Sequence, residues 1–504
     1  MKRVAITGAS GSMGYAAYQE LLKRQDSYSI TMLIHYSKKN IRRFKKHIPK
    51  GTKIKNGTVT VKDGVKIVWG TVTSLEHIRE FVKDADIVIN MAALIPPKAL
   101  ISKEATDAVN IGSIKNIVTA IKEIPGGSEK IKCITISSIA VYGDRLPPYH
   151  EVSVGDPVFP SVGDFYALTK VAAERILIES QLKYWAVIRQ TFITIPNLFS
   201  LMDPIMYLQP IDQHIQAITS RDAGYGIVNC IDAPDSFWKN IYNMNGPSSF
   251  RFVYHEFLNR MFGLFGLNSY KCMQRKWFTL RNFHCGWYTQ EDSARLEKYA
   301  HYQRDGYDEF FSIVEKRTPK FFKIAKIVPS VIVRFFMGLY ATTQIYVKRP
   351  DKYPSFVSSY YGSQAKWKQI PDFYTDMPKP MEAKKVELGY KRREDGKYSI
   401  SDMKELAKFR GGECLSKKFV DLYTPLKWHC DICGCDFEAT PILVTDGGHW
   451  CPECEPPIWN YNHIAKKNKF IAQIYYNKHD TNEVEVYNSA TILKERKDKP
   501  LSKK

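Results

Sequence analysis

Short apolar runs rich in β-formers recur through the N-terminal part of the chain, at 3–7 (RVAIT), 29–35 (SITMLIH), 65–69 (VKIVW), 85–90 (ADIVIN), 132–137 (KCITIS) and 185–189 (WAVIR). Helical patterns separate them, the first being YAAYQELLKRQ directly after residue 14. Strands alternating with helices predict an α/β fold, a doubly wound parallel sheet with helices on both faces.

Beyond residue 300 the pattern changes. Residues 320–348 are the one apolar stretch that invites a membrane reading, but Arg334 interrupts the run well short of the ~20 residues that span a bilayer. A helix packed on the parent domain is expected there, with an interfacial amphipathic helix as the alternative. The aromatic and basic region 311–400 contains a proline-punctuated linker at 370–384. Residues 458–487 show no clear period, and the chain ends on a charged tail, KERKDKPLSKK.

A length of 504 residues exceeds what one core supports and calls for two domains plus an appendage. The expected boundaries are 1–310 for the main domain, 311–400 for an aromatic extension and linker, 401–460 for a cysteine-rich module and 461–504 for a C-terminal extension. The net charge of +21 is unevenly spread: residues 1–60 hold 13 Lys/Arg against 2 Asp/Glu, whereas 401–504 hold 16 against 15. Phosphate binding needs clustered cations, so the near-neutral cysteine-rich end argues against nucleic acid. The start MKRVAITGAS runs straight into a strand pattern without an apolar leader, and a cytoplasmic protein with reduced thiols is expected.

Candidate chemistry begins at the first turn. After the first predicted strand come Gly8-Ala9-Ser10-Gly11-Ser12-Met13-Gly14 and then a helix. That arrangement brings backbone N–H groups and a helix N-terminus up to a pyrophosphate, where a Cβ would obstruct. At the end of the second strand an NAD enzyme usually carries an acid for the ribose hydroxyls. Here the stretch is His35-Tyr36-Ser37-Lys38-Lys39, which would welcome a 2′-phosphate and favours NADP over NAD. Solvated surface is the alternative for these lysines.

Tyr166 and Lys170 are four apart in FYALTK and share one face of a helix. A neighbouring ammonium favours phenolate, so Lys170 is expected to lower the Tyr166 pKa. Ser138, at the end of a predicted strand, can donate to the same substrate oxygen.

Six of the ten cysteines fall within 414–454. Cys430-x-x-Cys433 and Cys451-x-x-Cys454, separated by 17 residues, match two knuckles of a tetrahedral Zn²⁺ site, a folding site with no open position. Cys435 or Cys414 could replace Cys433. The module is expected to dock on its own enzyme domain, a partner protein or a second subunit.

Residues 1 to about 310 resemble the extended short-chain dehydrogenase/reductases, in their NAD(P)-dependent epimerase/dehydratase branch. TGASGSMG (7–14), INMAA (89–93), Asn110 in VNIGSIKNIV, SSIAVYG (137–143), YALTK followed by Glu174, and NIYNMNGP (240–247) carry the likeness. It implies a Rossmann-type sheet with a smaller substrate subdomain over roughly 190–310. Gly8, Gly11 and Gly14 would cradle the pyrophosphate, with Ser10 and Met13 in the same turn. Ala92 and Ala93 would lie along the cofactor, and Asn110 joins the cofactor set.

Ser138, Tyr166 and Lys170 would be the catalytic set, with Tyr166 as proton donor/acceptor and Lys170 also gripping the nicotinamide ribose. The activity implied is hydride transfer at a secondary alcohol or ketone, often on a nucleotide sugar, and the Tyr-Lys helix often lies at a homodimer interface. Ile139-Ala140 stands where sugar 4,6-dehydratases carry Asp-Glu, which argues against that subclass. Arg251, Arg281 and His284 could meet an anionic substrate, with ordinary packing as the alternative. The 411–454 stretch in turn resembles a zinc-ribbon or treble-clef module. The competing reading is a dinucleotide-sensing or scaffold protein whose zinc module binds a partner; a complete Ser-Tyr-Lys set argues against it.

Overall fold

The computed structural model describes residues 1–343, 369 and 382–481, except 97, 101, 144, 146, 162–163, 197–205, 208, 279–285, 394–395, 456–460 and 478. Arg281, His284, most of the 370–384 linker and the charged tail lie outside the described residues.

Eight strands form the central sheet: β1 (Lys2–Thr7), β2 (Tyr28–Ile34), β3 (Val59–Lys62), β4 (Val65–Trp69), β5 (Ile87–Asn90), β6 (Lys132–Ser138), β7 (Trp185–Gln190) and β8 (Asn240–Met244). Their spatial order is β8-β7-β6-β5-β1-β2-β4-β3, and every pairing is parallel except that of β3 with β4. All six predicted strands are present; β3 and β8 are additions at the two edges. Side chains alternate between two cores. Ala5, Val88, Cys133 and Val187 face one layer, and Val4, Ile6, Ile89, Ile134 and Ile188 face the other. Burial on both faces explains why the strands read as near-continuous apolar runs.

Helix α1 (Ser12–Leu22) buries Met13, Ala17, Tyr18 and Leu21 on the second layer, where α4 (Ser220–Asn229) packs beside it. Helices α2 (Lys103–Glu123) and α3 (Phe165–Ile178) cover the first layer. The chain reverses direction at β1, flanked by β2 and β5, and ligands of such sheets bind in the crevice at that switch point.

The cysteine-rich end forms a three-stranded antiparallel sheet of β9 (Gly412–Cys414), β10 (Leu426–Cys430) and β11 (Asp436–Ala439). Trp428, Leu443, Trp450 and Cys451 of this region belong to the same continuous core as Val187 of the main sheet and Ala173 and Leu177 of α3. The two regions therefore bury apolar surface against each other.

A third core gathers Phe250, Phe252, Phe257, Trp277, Phe310 and Phe311 around the region after β7. Helix α5 (Ser330–Thr343) joins it through Val333, Met337 and Ala341. Packing on the parent domain thus accounts for one face of this helix. Val331, Phe335 and Phe336 on the other side are exposed. No single helix among the described residues is long and apolar enough to cross a membrane.

Candidate functional site

The turn after β1 is built for close backbone approach. Gly8 has φ +72°, and a Cβ there would stand 2.6 Å from the Met91 carbonyl carbon. A Cβ on Gly14 would strike the Gly8 carbonyl. The turn closes through Gly11 N–H to Gly8 O at 2.9 Å, and Gly11 is the N-cap of α1, with no side chain covering the helix end. This cradle, with a free helix N-terminus behind it, fits a dinucleotide pyrophosphate. Ser10 lies in it half-buried, its carbonyl accepting from Arg43 Nη1 at 2.8 Å, while Met13 points into the core.

At the tip of β2, His35 and Lys38 are exposed, and Ser37 caps the short helix Lys38–Arg43 by accepting from Asn40 N–H. Across the crevice, Thr7 Oγ1 accepts from the N–H groups of Met91 and Ala92, both at 3.0 Å, which fixes the Ala92–Ala93 segment beside the turn. The side-chain amide of Asn110 is taken up by both backbone groups of Leu94 and by Thr169 Oγ1 at 2.9 Å. Asn110 therefore braces the segment after β5 against α3.

Helix α3 opens on Asp164, whose Oδ1 accepts from Ala167 N–H at 2.9 Å. Tyr166, Lys170 and Glu174 then follow at four-residue spacing, all buried. Lys170 Nζ lies 5.7 Å from the Tyr166 ring centre and donates to the Ile136 carbonyl at 2.7 Å. Burial lowers the Lys170 ammonium to about 8, with Glu174 opposing. The expected lowering of the Tyr166 pKa by Lys170 is not what the buried pair shows. Burial drives the phenol upward, and the hydrogen bond with Ser138 is what opposes it. Both groups are desolvated at once, so each resists its charged form.

Consecutive residues at the end of β6 point to opposite faces. Ser138 meets Tyr166 and also accepts from Ala140 N–H at 3.2 Å. Ser137 donates to Glu174 and stands opposite Arg189 in the register. Arg189 grips Glu174 with Nε at 3.0 Å and Nη2 at 2.7 Å, both side chains fully buried.

The cysteine-rich region reaches this same pair. Arg189 Nη2 donates to the Gly447 carbonyl at 2.6 Å, Val158 N–H to the Gly448 carbonyl at 3.1 Å, and His449 Nε2 lies 3.2 Å from Glu174. Arg175 bridges to Glu455 at 2.8 Å. No local pattern marks these links, because the partners lie up to 280 residues apart.

The sulfur atoms of Cys430, Cys433, Cys451 and Cys454 lie within 4.8 Å of one another. Four convergent thiols match the donor set of a structural zinc site. Cys435 and Cys414 are outside that group: Cys435 turns to the Cys433 carbonyl, and Cys414 sits on β9 opposite Trp428.

A second polar cluster, unread in the sequence, follows the carboxyl end of β7. Gln190 pairs in register with Ser138, and Thr191 Oγ1 donates to Gln216 O at 2.8 Å. Beside Gln216, the rings of His214 and His150 stack at 4.4 Å, with Trp287 edge-on. His150 Nδ1 and the side-chain amides of Gln209 and Gln213 are buried without a hydrogen-bond partner among the described residues. Burial pushes His214 down to about 4 and lowers His150, so both are neutral near pH 7. Arg251 is already engaged with Gln216 at 3.0 Å and with the Tyr288 carbonyl.

Similar solved structures include a dTDP-glucose 4,6-dehydratase from Bacillus anthracis in complex with NAD (14% identity, 66% of this chain and 98% of that one, TM-score 0.46). A UDP-glucuronic acid 4-epimerase from Bacillus cereus in complex with NAD is also similar (16% identity, 66% and 100%, TM-score 0.48). A dTDP-glucose 4,6-dehydratase double mutant from Streptomyces venezuelae with NAD bound is a third (12% identity, 63% and 96%, TM-score 0.49). No curated protein matches the chain. Residues 4–206 match the model of the NAD dependent epimerase/dehydratase family, and the glycine turn and most of the doubly wound sheet lie within this matched region.

Proposed function

We propose that the protein is an NAD(P)-dependent oxidoreductase or epimerase that moves hydride at a secondary alcohol or ketone carbon, with Tyr166 as acid/base. The observation that carries this reading is the convergence of Ser138, Tyr166 and Lys170 at the carboxyl end of β6, on the crevice that opens beside the glycine turn. A bound dinucleotide supplies the hydride acceptor or donor. Ser138 and Tyr166 hold the substrate oxygen, and Tyr166 exchanges the proton. Lys170, whose ammonium is already weakened by burial, loses little solvation on turning from the Ile136 carbonyl to a cofactor hydroxyl.

The amides of Gln209 and Gln213, buried without a partner among the described residues, support a substrate rich in hydroxyl or anionic oxygens, a nucleotide sugar among them, since a buried amide left without a partner costs free energy. The Lys38-Lys39 pair, with no acid at the tip of β2, supports NADP over NAD. Four clustered thiols support one structural Zn²⁺. Tyr166→Phe is expected to abolish turnover while dinucleotide affinity, followed by fluorescence titration with NADPH and NADH, stays within about twofold. Undiminished turnover would remove Tyr166 from this role.

A further inference from the structure

We propose that residues 320–336 form a monotopic docking surface for an anionic lipid bilayer. The segment has two arms, Lys320–Ile327 and α5, set at 108° to each other, with Pro329 at the break. A helix that is apolar all round is normally buried all round. Here α5 buries only the face carrying Val333, Met337 and Ala341. The opposite side and the preceding arm leave Phe321 (63%), Ile324 (59%), Ile327 (73%), Val331 (70%), Phe335 (62%) and Phe336 (62%) open to solvent. Large apolar side chains this close in sequence are not scattered surface residues, and exposed apolar patches of this kind mark an interaction site.

The charge of the patch selects the partner. From Lys316 to Arg334 there is no acidic residue, while Lys316, Arg317, Lys320, Lys323, Lys326 and Arg334 supply six cations. Lys323 spends part of its charge on Glu315 at 3.3 Å, and Arg334 donates to the Lys271 carbonyl at 2.9 Å. Lys320 and Lys326 flank the exposed Phe321 and Ile324, and Ile327 follows directly. Apolar side chains with a basic rim suit the headgroup/acyl boundary of a membrane with anionic lipids. A second copy of the chain fits poorly, because a two-fold contact would set the same cations against each other. The bend and the short arms fit lying on the bilayer, not crossing it.

The test is flotation of the full-length protein with two kinds of vesicle, phosphatidylcholine alone and phosphatidylcholine with about a third phosphatidylserine. The protein is expected to float with the anionic vesicles and to be released as salt rises. Phe335→Ser with Phe336→Ser should weaken partitioning at least about tenfold. Lys320→Glu with Lys326→Glu should erase the preference for phosphatidylserine. Because all four side chains are exposed or rim the patch, both variants should melt with the wild type and bind dinucleotide equally well. Failure to float with anionic vesicles at low salt would overturn the proposal, as would a Phe335→Ser/Phe336→Ser variant that floats like wild type. A dimer in sedimentation that the phenylalanine variant splits would assign the surface to a second copy and equally overturn it.

Discussion

His449 Nε2 lies 3.2 Å from Glu174, and Nδ1 of the same ring lies 3.0 Å from Glu455. The imidazole is fully buried. Burial works against its charge, but Glu455 and Glu174 overcome it and hold the pKa above the ordinary histidine value. Against burial, Arg189 and His449 pull the Glu174 carboxyl down to about 2, and His449 and Arg175 do the same for Glu455. His449 stands two residues before Cys451, and Glu174 one helical turn after Lys170. One buried ion network thus joins the cysteine cluster to the helix of Tyr166 and Lys170.

His449→Ala removes the shared cation and leaves two carboxylates with one arginine each. A loss of about 2–3 kcal/mol in urea unfolding is expected, less than for a fully orphaned buried charge because Arg189 and Arg175 remain. His449→Gln, which still offers an amide to one carboxylate, should recover part of it. Unchanged stability in both variants would show that the contact contributes nothing net.

Removing the metal should reach the dinucleotide site. Four deprotonated thiolates brought within 4.8 Å need a cation between them, so the 430–454 turn is expected to open when the ion is chelated. Trp428 and Trp450 would then leave the core they share with α3, and His449 its contact with Glu174. Metal analysis is expected to give one zinc per chain. Chelation, or Cys454→Ser, should lower the melting temperature and weaken dinucleotide binding at least about tenfold through α3 and the Asn110 brace. A module that melts alone, with dinucleotide affinity untouched, would reduce it to an attachment.

Much of this architecture was legible because its determinants are local. The runs RVAIT, SITMLIH and WAVIR are strands buried on both faces, the glycines at 8, 11 and 14 sit where a Cβ has no room, and four-residue spacing places Lys170 one turn beyond Tyr166. Two pairs of Cys-x-x-Cys likewise announced their cluster. What stayed hidden depends on tertiary proximity. Nothing near His449 marks Glu174 as its partner, and nothing in PIDQHIQ shows that Gln213 is buried without a partner among the described residues. The direction of the Tyr166 shift was also out of reach, since spacing reveals a neighbouring charge and not the burial that outweighs it.

Asp164 sets a pH dependence that one substitution can isolate. Its Oδ1 caps α3, but Oδ2 is buried without a partner among the described residues, and burial raises the carboxyl to about 7 against a backbone cap that opposes it. Between the ordinary aspartate value near ~4 and pH 7 the native state keeps a proton that the unfolded chain has lost, so stability falls as pH rises through this window. The stability is fully present below the unfolded value and lost as pH passes the folded one, on the order of 4 kcal/mol in all. Asp164→Asn preserves the capping oxygen and removes the titration. The variant is expected to match wild type near pH 4 and to exceed it increasingly up to pH 7 in urea unfolding at stepped pH. The ionised Asp164 also pushes the Tyr166 phenol upward, so the basic limb of the rate profile should move to lower pH in the variant. Parallel stability curves for the two proteins would show that Asp164 is ionised throughout and that its second oxygen reaches solvent.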